Sequence, residues 1–142
     1  MEIEYAFLAD YADRGSKLTA IGIGFDAIYA QQAPTMHPQF FSVIGLRFER
    51  SETGRKKHIE MELVDADGNQ IAPKLEIDIQ VAKPAKNFDY RRQRIALGMY
   101  GMVFPKYGDY AVNWILDGLQ IRSVSLKLLP TSEMPAGAQP PA

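Results

Sequence analysis

The chain has 142 residues, 46% of them apolar, no cysteine, and 16 basic against 17 acidic side chains for a formal net charge of −1. One domain is expected at that length. The absence of thiols excludes disulfides, thiolate metal sites and a cysteine nucleophile, and the balanced charge gives no global pull toward nucleic acid or an anionic membrane.

The N-terminus reads Met1-Glu2-Ile3-Glu4-Tyr5, without the basic start and apolar stretch of an export leader, and no apolar run approaches the roughly 18–20 residues that span a bilayer. A cytoplasmic location is the expectation. Ile3 to Ala9 alternates, with Ile3, Tyr5 and Phe7 opposed to Glu2 and Glu4, and predicts a first strand. Asp10 to Ser16 is rich in turn residues and predicts a polar connection. Leu18 to Ile23 is apolar on both faces, the pattern of a central strand. Gly22 and Gly24 mark a bulge or a close backbone approach, after which Phe25 to Ala30 continues the chain. Gln31 to Gln39 holds Pro34 and Pro38 and has no period, which predicts a loop. Phe40 to Glu49 predicts a strand with Phe40, Ile44, Leu46 and Phe48 on one face, and Arg50 to Lys57 turns around Gly54.

The clearest pattern follows. Ile59, Met61 and Leu63 alternate with His58, Glu60 and Glu62 and stop at Asp65-Ala66-Asp67-Gly68-Asn69, a half-buried strand entering a hairpin. Its return, Gln70 to Ile79, contains Pro73, so an edge strand or a broken one is expected. Val81 to Gln93 has no period and reads as a crossing between two sheets. Arg94 to Phe104 sets Ile95, Leu97, Met99 and Val103 in register, and Pro105 to Gly108 is a turn. Asp109 to Leu116 and Leu119 to Leu128 form a last hairpin around Asp117-Gly118, with one extra residue near Ser123 accounting for a slip in apolar phase. Residues 130–142 are rich in Pro and Ala and read as a disordered tail beyond a domain at 1–129. About eight or nine short strands predict an all-β fold, a two-layer antiparallel β-sandwich of immunoglobulin-like, Greek-key type. A closed barrel is the alternative.

Three stretches carry a resemblance: Phe7-Leu8-Ala9-Asp10-Tyr11, Lys17-Leu18-Thr19-Ala20-Ile21-Gly22-Ile23, and His37-Pro38-Gln39-Phe40. With Asp65-Ala66-Asp67-Gly68 and Gly108-Asp109-Tyr110 in order, the chain from about residue 3 to 128 resembles a family of uncharacterised bacterial proteins, a domain of unknown function with an LLAD…KL…IGIFD…HP opening. Phe25-Asp26 departs from the family-like Ile-Phe-Asp by one glycine. The resemblance implies a single-domain β protein without established activity, cofactor or catalytic residues.

Candidate chemistry is sparse. Asp65 to Asn69 suggests a calcium loop, but in the EF-hand frame the first ligand falls on Leu63 and the twelfth on Lys74, so turn chemistry is the better account. Asp10, Asp13 and Asp26, with His37, offer carboxylates and an imidazole that suit a divalent metal if they converge; each is also a good turn residue. His58 falls on a polar strand face and reads as a solvated histidine. No serine lies in a nucleophile-elbow context, so no catalytic residue, cofactor or metal is assigned. Two basic clusters, Arg55-Lys56-Lys57 and Arg91-Arg92-Gln93-Arg94, the latter beside Phe88 and Tyr90, read as solubilising turn charges or edge protection rather than a nucleic-acid surface. The expected function is therefore a non-enzymatic binding or protein-interaction module. Its candidate contact residues are the loop side chains Asp10, Asp13, Asp26, Tyr29 and His37. A domain for a carbohydrate or other small polar ligand, with or without a cation, and a subunit that self-assembles by edge pairing are the alternatives; neither nucleic acid nor membrane is expected as a partner.

Overall fold

A computed structural model describes residues 1–137. Ten strands follow one another among them: β1 Glu2–Ala9, β2 Tyr11–Arg14, β3 Leu18–Ile21, β4 Ala27–Ala30, β5 Thr35–Glu49, β6 Lys56–Asp65, β7 Leu75–Gln80, β8 Tyr90–Phe104, β9 Gly108–Leu116 and β10 Leu119–Pro130. The only helical pieces among these residues are two single 3-10 turns, Arg50–Glu52 and Thr131–Glu133, and no helix is long and apolar enough to cross a membrane. The fold is all-β. The strands form a three-stranded sheet, β1-β5-β8, a five-stranded sheet, β4-β10-β9-β6-β7, and a two-stranded ribbon, β2-β3. Pairing is antiparallel except between β10 and β4.

The long strand β5 explains how these pieces meet. Its side chains alternate between two apolar environments. Phe40, Ile44, Leu46 and Phe48 enter the main core with Leu8, Ile95 and Phe104 of the same sheet and Ile59, Met61, Val112, Trp114 and Leu126 of the five-stranded sheet. Phe41 and Val43 enter a second cluster with Ala12, Leu18 and Ala20 of the ribbon, flanked by Tyr5, Phe7 and Ala96. The fully buried Trp114 donates its indole N–H to Ser42 Oγ at 3.0 Å, which ties the two larger sheets together through a polar bond in an apolar setting.

Several expectations are corrected. Asp10 to Ser16 is not merely a connection, because Tyr11–Arg14 pairs with Leu18–Ile21. That second segment is not a central strand: it pairs with β2 alone, turning Leu18 and Ala20 onto the sheet. Ile21 and Ile23 stay about 60% exposed, at 62% and 59%. Gln31 to Gln39 is not wholly loop, since β5 starts at Thr35, opposite Phe104. The proline is tolerated because Pro38 and Gly101 both drop out of the register, and Gly101 takes a left-handed φ of 62°. A register shift between Ile3 and Tyr5 makes Glu4 an extra residue. Ile3 therefore packs on the main core while Tyr5 and Phe7 flank the ribbon cluster. β8 begins at Tyr90, four residues before the expected start.

Other features follow the sequence directly. β7 starts after Pro73 and is the outermost strand of its sheet. Residues 81–89 cross from the five-stranded to the three-stranded sheet. The extra residue of the last hairpin lies between Gln120 and Arg122. By contrast, the segment expected as a disordered tail is ordered at its start, where Pro130 pairs with Ala30 and 131–133 form the second 3-10 turn; 138–142 lie outside the described residues.

Candidate functional site

Two polar surfaces stand out, one on each of the larger sheets. The first begins at the N-terminal end of β8, the last strand of its sheet. Register places Arg92 opposite Arg47, Arg94 opposite Gly45 and Tyr90 opposite Glu49. These residues share the face that carries Phe41 and Val43, but they lie beyond the stretch that the ribbon covers. The ribbon turn ends there and Arg14 Nη1 donates to the Arg94 carbonyl at 3.0 Å. Arg14, Ser16, Arg91, Arg92, Gln93 and Arg94 then line a pocket of about 410 Å³. A neighbouring pocket of about 430 Å³ is bounded by Glu4, Tyr5, Arg92 and Arg94. Tyr5 lies flat over Gly45, where any Cβ would collide with its ring.

Charge is poorly matched on this face. Arg92 Nε reaches both oxygens of Glu4, at 2.9 and 3.2 Å, and this carboxylate raises the guanidinium pKa further. Among the described residues, Arg14, Arg91 and Arg94 have no carboxylate within ion-pair distance. Arg47 stacks over Tyr90 at 3.9 Å from the ring centroid, and Arg92 sits 5.1 Å from the same ring. The Arg47 Nε is buried and makes no hydrogen bond, with the Glu49 carboxylate 3.7 Å away. Donors in this geometry suit carboxylate or phosphate oxygens, which a guanidinium grips with two parallel N–H groups.

The second surface lies on the outward face of the β6–β7 pair, where His58 is opposite Asp78 and Glu60 is opposite Glu76. His58 Nδ1 lies 2.7 Å from Asp78 Oδ1, and Nε2 lies 3.3 Å from Glu60 Oε1 and 3.4 Å from Glu76 Oε1. Asp78 first, then Glu76 and Glu60, raise the imidazole pKa above its ordinary value. Lys74 Nζ is 3.4 Å from the other Glu60 oxygen. Glu62 accepts from Asn113 at 3.2 Å and Gln70 at 3.3 Å. His58 is thus not a merely solvated histidine. Two of its three partners, Asp78 and Glu76, come from β7, and the register that joins them to it is set across a hairpin interrupted by Pro73.

The loop residues singled out from sequence are only partly brought together. Asp10 sits at the bend after β1, its N–H donating to the Ile21 carbonyl at 2.9 Å and its carboxylate pressed on Gly22. Gly22 has a φ of 68°, so its lack of a Cβ serves both the turn and the contact. His37 is half-buried, and burial lowers its pKa against the smaller, opposing pull of nearby Asp10. Asp13 is exposed on β2 opposite Thr19. The Asp26 carbonyl accepts from the Lys127 N–H at 2.9 Å, and Tyr29 pairs with Leu129. Among the described residues the three aspartates do not gather with His37 into a set able to hold a metal ion; His58, Glu60 and Glu76 do. Asp65 is used by its own turn, its Oδ1 accepting from the N–H groups of Asp67 at 3.0 Å and Asn69 at 2.9 Å. Lys57 of the first basic cluster is paired with Asp117 at 3.4 Å.

Fold and surface define an all-β domain with an arginine-lined cleft at one sheet edge and a histidine–carboxylate cluster on the other sheet. The chain belongs to a family of unknown function, DUF6941, whose model matches residues 4–129. No curated protein and no solved structure matches it.

Proposed function

We propose that the chain is a non-catalytic interaction module whose arginine face binds an acidic segment of a partner protein. One observation carries the reading: Arg14, Arg91, Arg92 and Arg94 all line a single pocket, while among the described residues only Glu4 answers one of them, Arg92. Unpaired guanidinium groups in a concave site favour a ligand that brings its own oxygens. A polypeptide is favoured over a nucleic acid because two of the three aromatic rings beside the arginines are already in use, leaving Phe88 alone exposed. Tyr90 is stacked under Arg47 and Tyr5 covers Gly45, and a base-stacking platform needs free ring faces. The shared core of the three- and five-stranded sheets supports a two-layer sandwich of immunoglobulin-like type beneath this face. Within this reading the module works in a bacterial cytoplasm, a setting that suits a cysteine-free chain.

The test is fluorescence anisotropy with labelled hexaglutamate at low ionic strength. The expected result is saturable binding that weakens at least about tenfold in the Arg14→Ala/Arg94→Ala variant, as loss of two charge-assisted contacts requires, and no binding of hexalysine. Tighter binding of a single-stranded oligonucleotide would replace the protein partner by nucleic acid, and absence of binding to either would refute the reading.

Self-assembly is a second reading, favoured by a separate observation. Ile21, Met36, Tyr100 and Val103 are 62%, 57%, 60% and 52% exposed on the ribbon and on the far end of the β5–β8 pair. Exposed apolar side chains grouped in this way mark contact surfaces.

A further inference from the structure

We propose that His58, Glu60 and Glu76 form a binding site for a zinc-class divalent cation, with Asp78 as the group that orients the imidazole. Two independent features of the geometry carry this. The first is donor spacing. A tetrahedral zinc ion with bonds of about 2.0–2.2 Å holds its donor atoms roughly 3.3–3.6 Å apart. His58 Nε2 lies 3.3 Å from Glu60 Oε1 and 3.4 Å from Glu76 Oε1. One donor atom from each of the three residues lies within 4.8 Å of the others. The second is the arrangement behind the imidazole. Asp78 Oδ1 sits 2.7 Å from Nδ1 and, being an acceptor, holds the N–H on that nitrogen. Nε2 is then the nitrogen that faces Glu60 and Glu76, where a bound ion takes the place of its proton. A carboxylate on the far nitrogen is the usual support of a metal-bound histidine.

The backbone makes the site stiff. The His58 N–H donates to Asp117 Oδ1 at 2.9 Å, and the Asp117 N–H donates to the His58 carbonyl at 2.8 Å. His58 and Asp78, like Glu60 and Glu76, are directly cross-strand, so their spacing is set by the sheet rather than by a loop. Lys74 does not block the site, because it approaches Oε2 of Glu60 whereas the metal-facing oxygen is Oε1. Three protein donors leave a fourth position open to water or to a ligand. One imidazole among carboxylates selects zinc and its late first-row neighbours over calcium or magnesium, which take oxygen ligands. The site lies on the five-stranded sheet and stands independently of the arginine face on the three-stranded one.

The experiment is calorimetric titration of the full chain with zinc chloride in a non-chelating buffer, paired with cobalt substitution and visible spectroscopy. The expected result is one ion per chain, a cobalt spectrum of tetrahedral intensity, and affinity reduced at least about tenfold by His58→Gln and by Glu76→Gln, with Asp78→Asn reducing it by about 10–100-fold. The substitutions fall on a part-exposed surface, and a far-ultraviolet dichroism spectrum confirms that each variant keeps its strands. No heat and no cobalt spectrum would overturn the proposal. So would zinc affinity unchanged by His58→Gln, which would put the ion elsewhere, or calcium binding tighter than zinc.

Discussion

Replacing Ser42 by Ala removes one oxygen from the middle of the protein. Ser42 and Trp114 are both fully buried, and among the described residues the indole N–H finds its acceptor only on Ser42. The methyl of Ala fills nearly the same space, so little packing is lost. What remains is a buried indole N–H without a partner, which costs about 1–3 kcal/mol. Trp114→Phe removes the donor and leaves a void as well, and its own cost includes that cavity. In the double variant neither orphaned group exists. Its destabilisation should therefore fall short of the sum of the single values by about 1 kcal/mol or more. Urea unfolding followed by far-ultraviolet dichroism measures all three, since tryptophan fluorescence is lost in two of them; an unchanged denaturant slope shows that the same surface is exposed on unfolding. If Ser42→Ala costs under about 0.5 kcal/mol and the pair is additive, the two sheets do not meet through this bond and the packing described here is wrong.

Three further outcomes follow from particular contacts. Gly45→Ala pushes the Tyr5 ring off the sheet, which should destabilise the fold by about 1–3 kcal/mol and weaken hexaglutamate binding, read by urea midpoint and anisotropy. His37 has a pKa held below its ordinary value of 6.5 by burial. The unfolded chain therefore takes up the proton first, and this histidine's contribution to stability, complete above about pH 6.5, is lost as pH falls through that value toward the folded pKa. Urea midpoints at pH 7 and pH 5 should converge in His37→Gln relative to wild type, and equal pH dependence in the two proteins would refute the assignment. Tyr100→Ser/Val103→Ser should shift any concentration-dependent oligomer on a sizing column toward monomer; a wild-type chain that is monomeric at high concentration ends the self-assembly reading.

How much of this was legible from sequence depended on whether the information was local. The β6 turn was readable because Asp65, Asp67 and Gly68 act within five residues, the aspartate accepting from N–H groups just ahead of it. The β9–β10 hairpin and its extra residue were readable for the same reason. The ribbon was misread because Leu18 to Ile21 looks buried on both faces; only the tertiary arrangement sends Leu18 and Ala20 onto Phe41 and Val43 and leaves Ile21 in solvent. Pro34 and Pro38 hid the start of β5, since the tolerance for Pro38 is supplied by Gly101, sixty-three positions further on. The arginine run on β8 was visible as charge. Its meaning was not, because Arg14 and Arg47 reach the same face from other strands. The same holds for His58, whose partners Asp78 and Glu76 could be found only by carrying an antiparallel register past Pro73.

The central claim, that the arginine face is where a partner's carboxylates dock, is tested most directly by amide chemical-shift mapping during titration with unlabelled hexaglutamate. The account predicts perturbations confined to Arg14 to Ser16, Arg47 and Tyr90 to Arg94. Shifts centred on the loop of Asp10 and His37 or on the β6–β7 face, or none at saturating peptide, would contradict it.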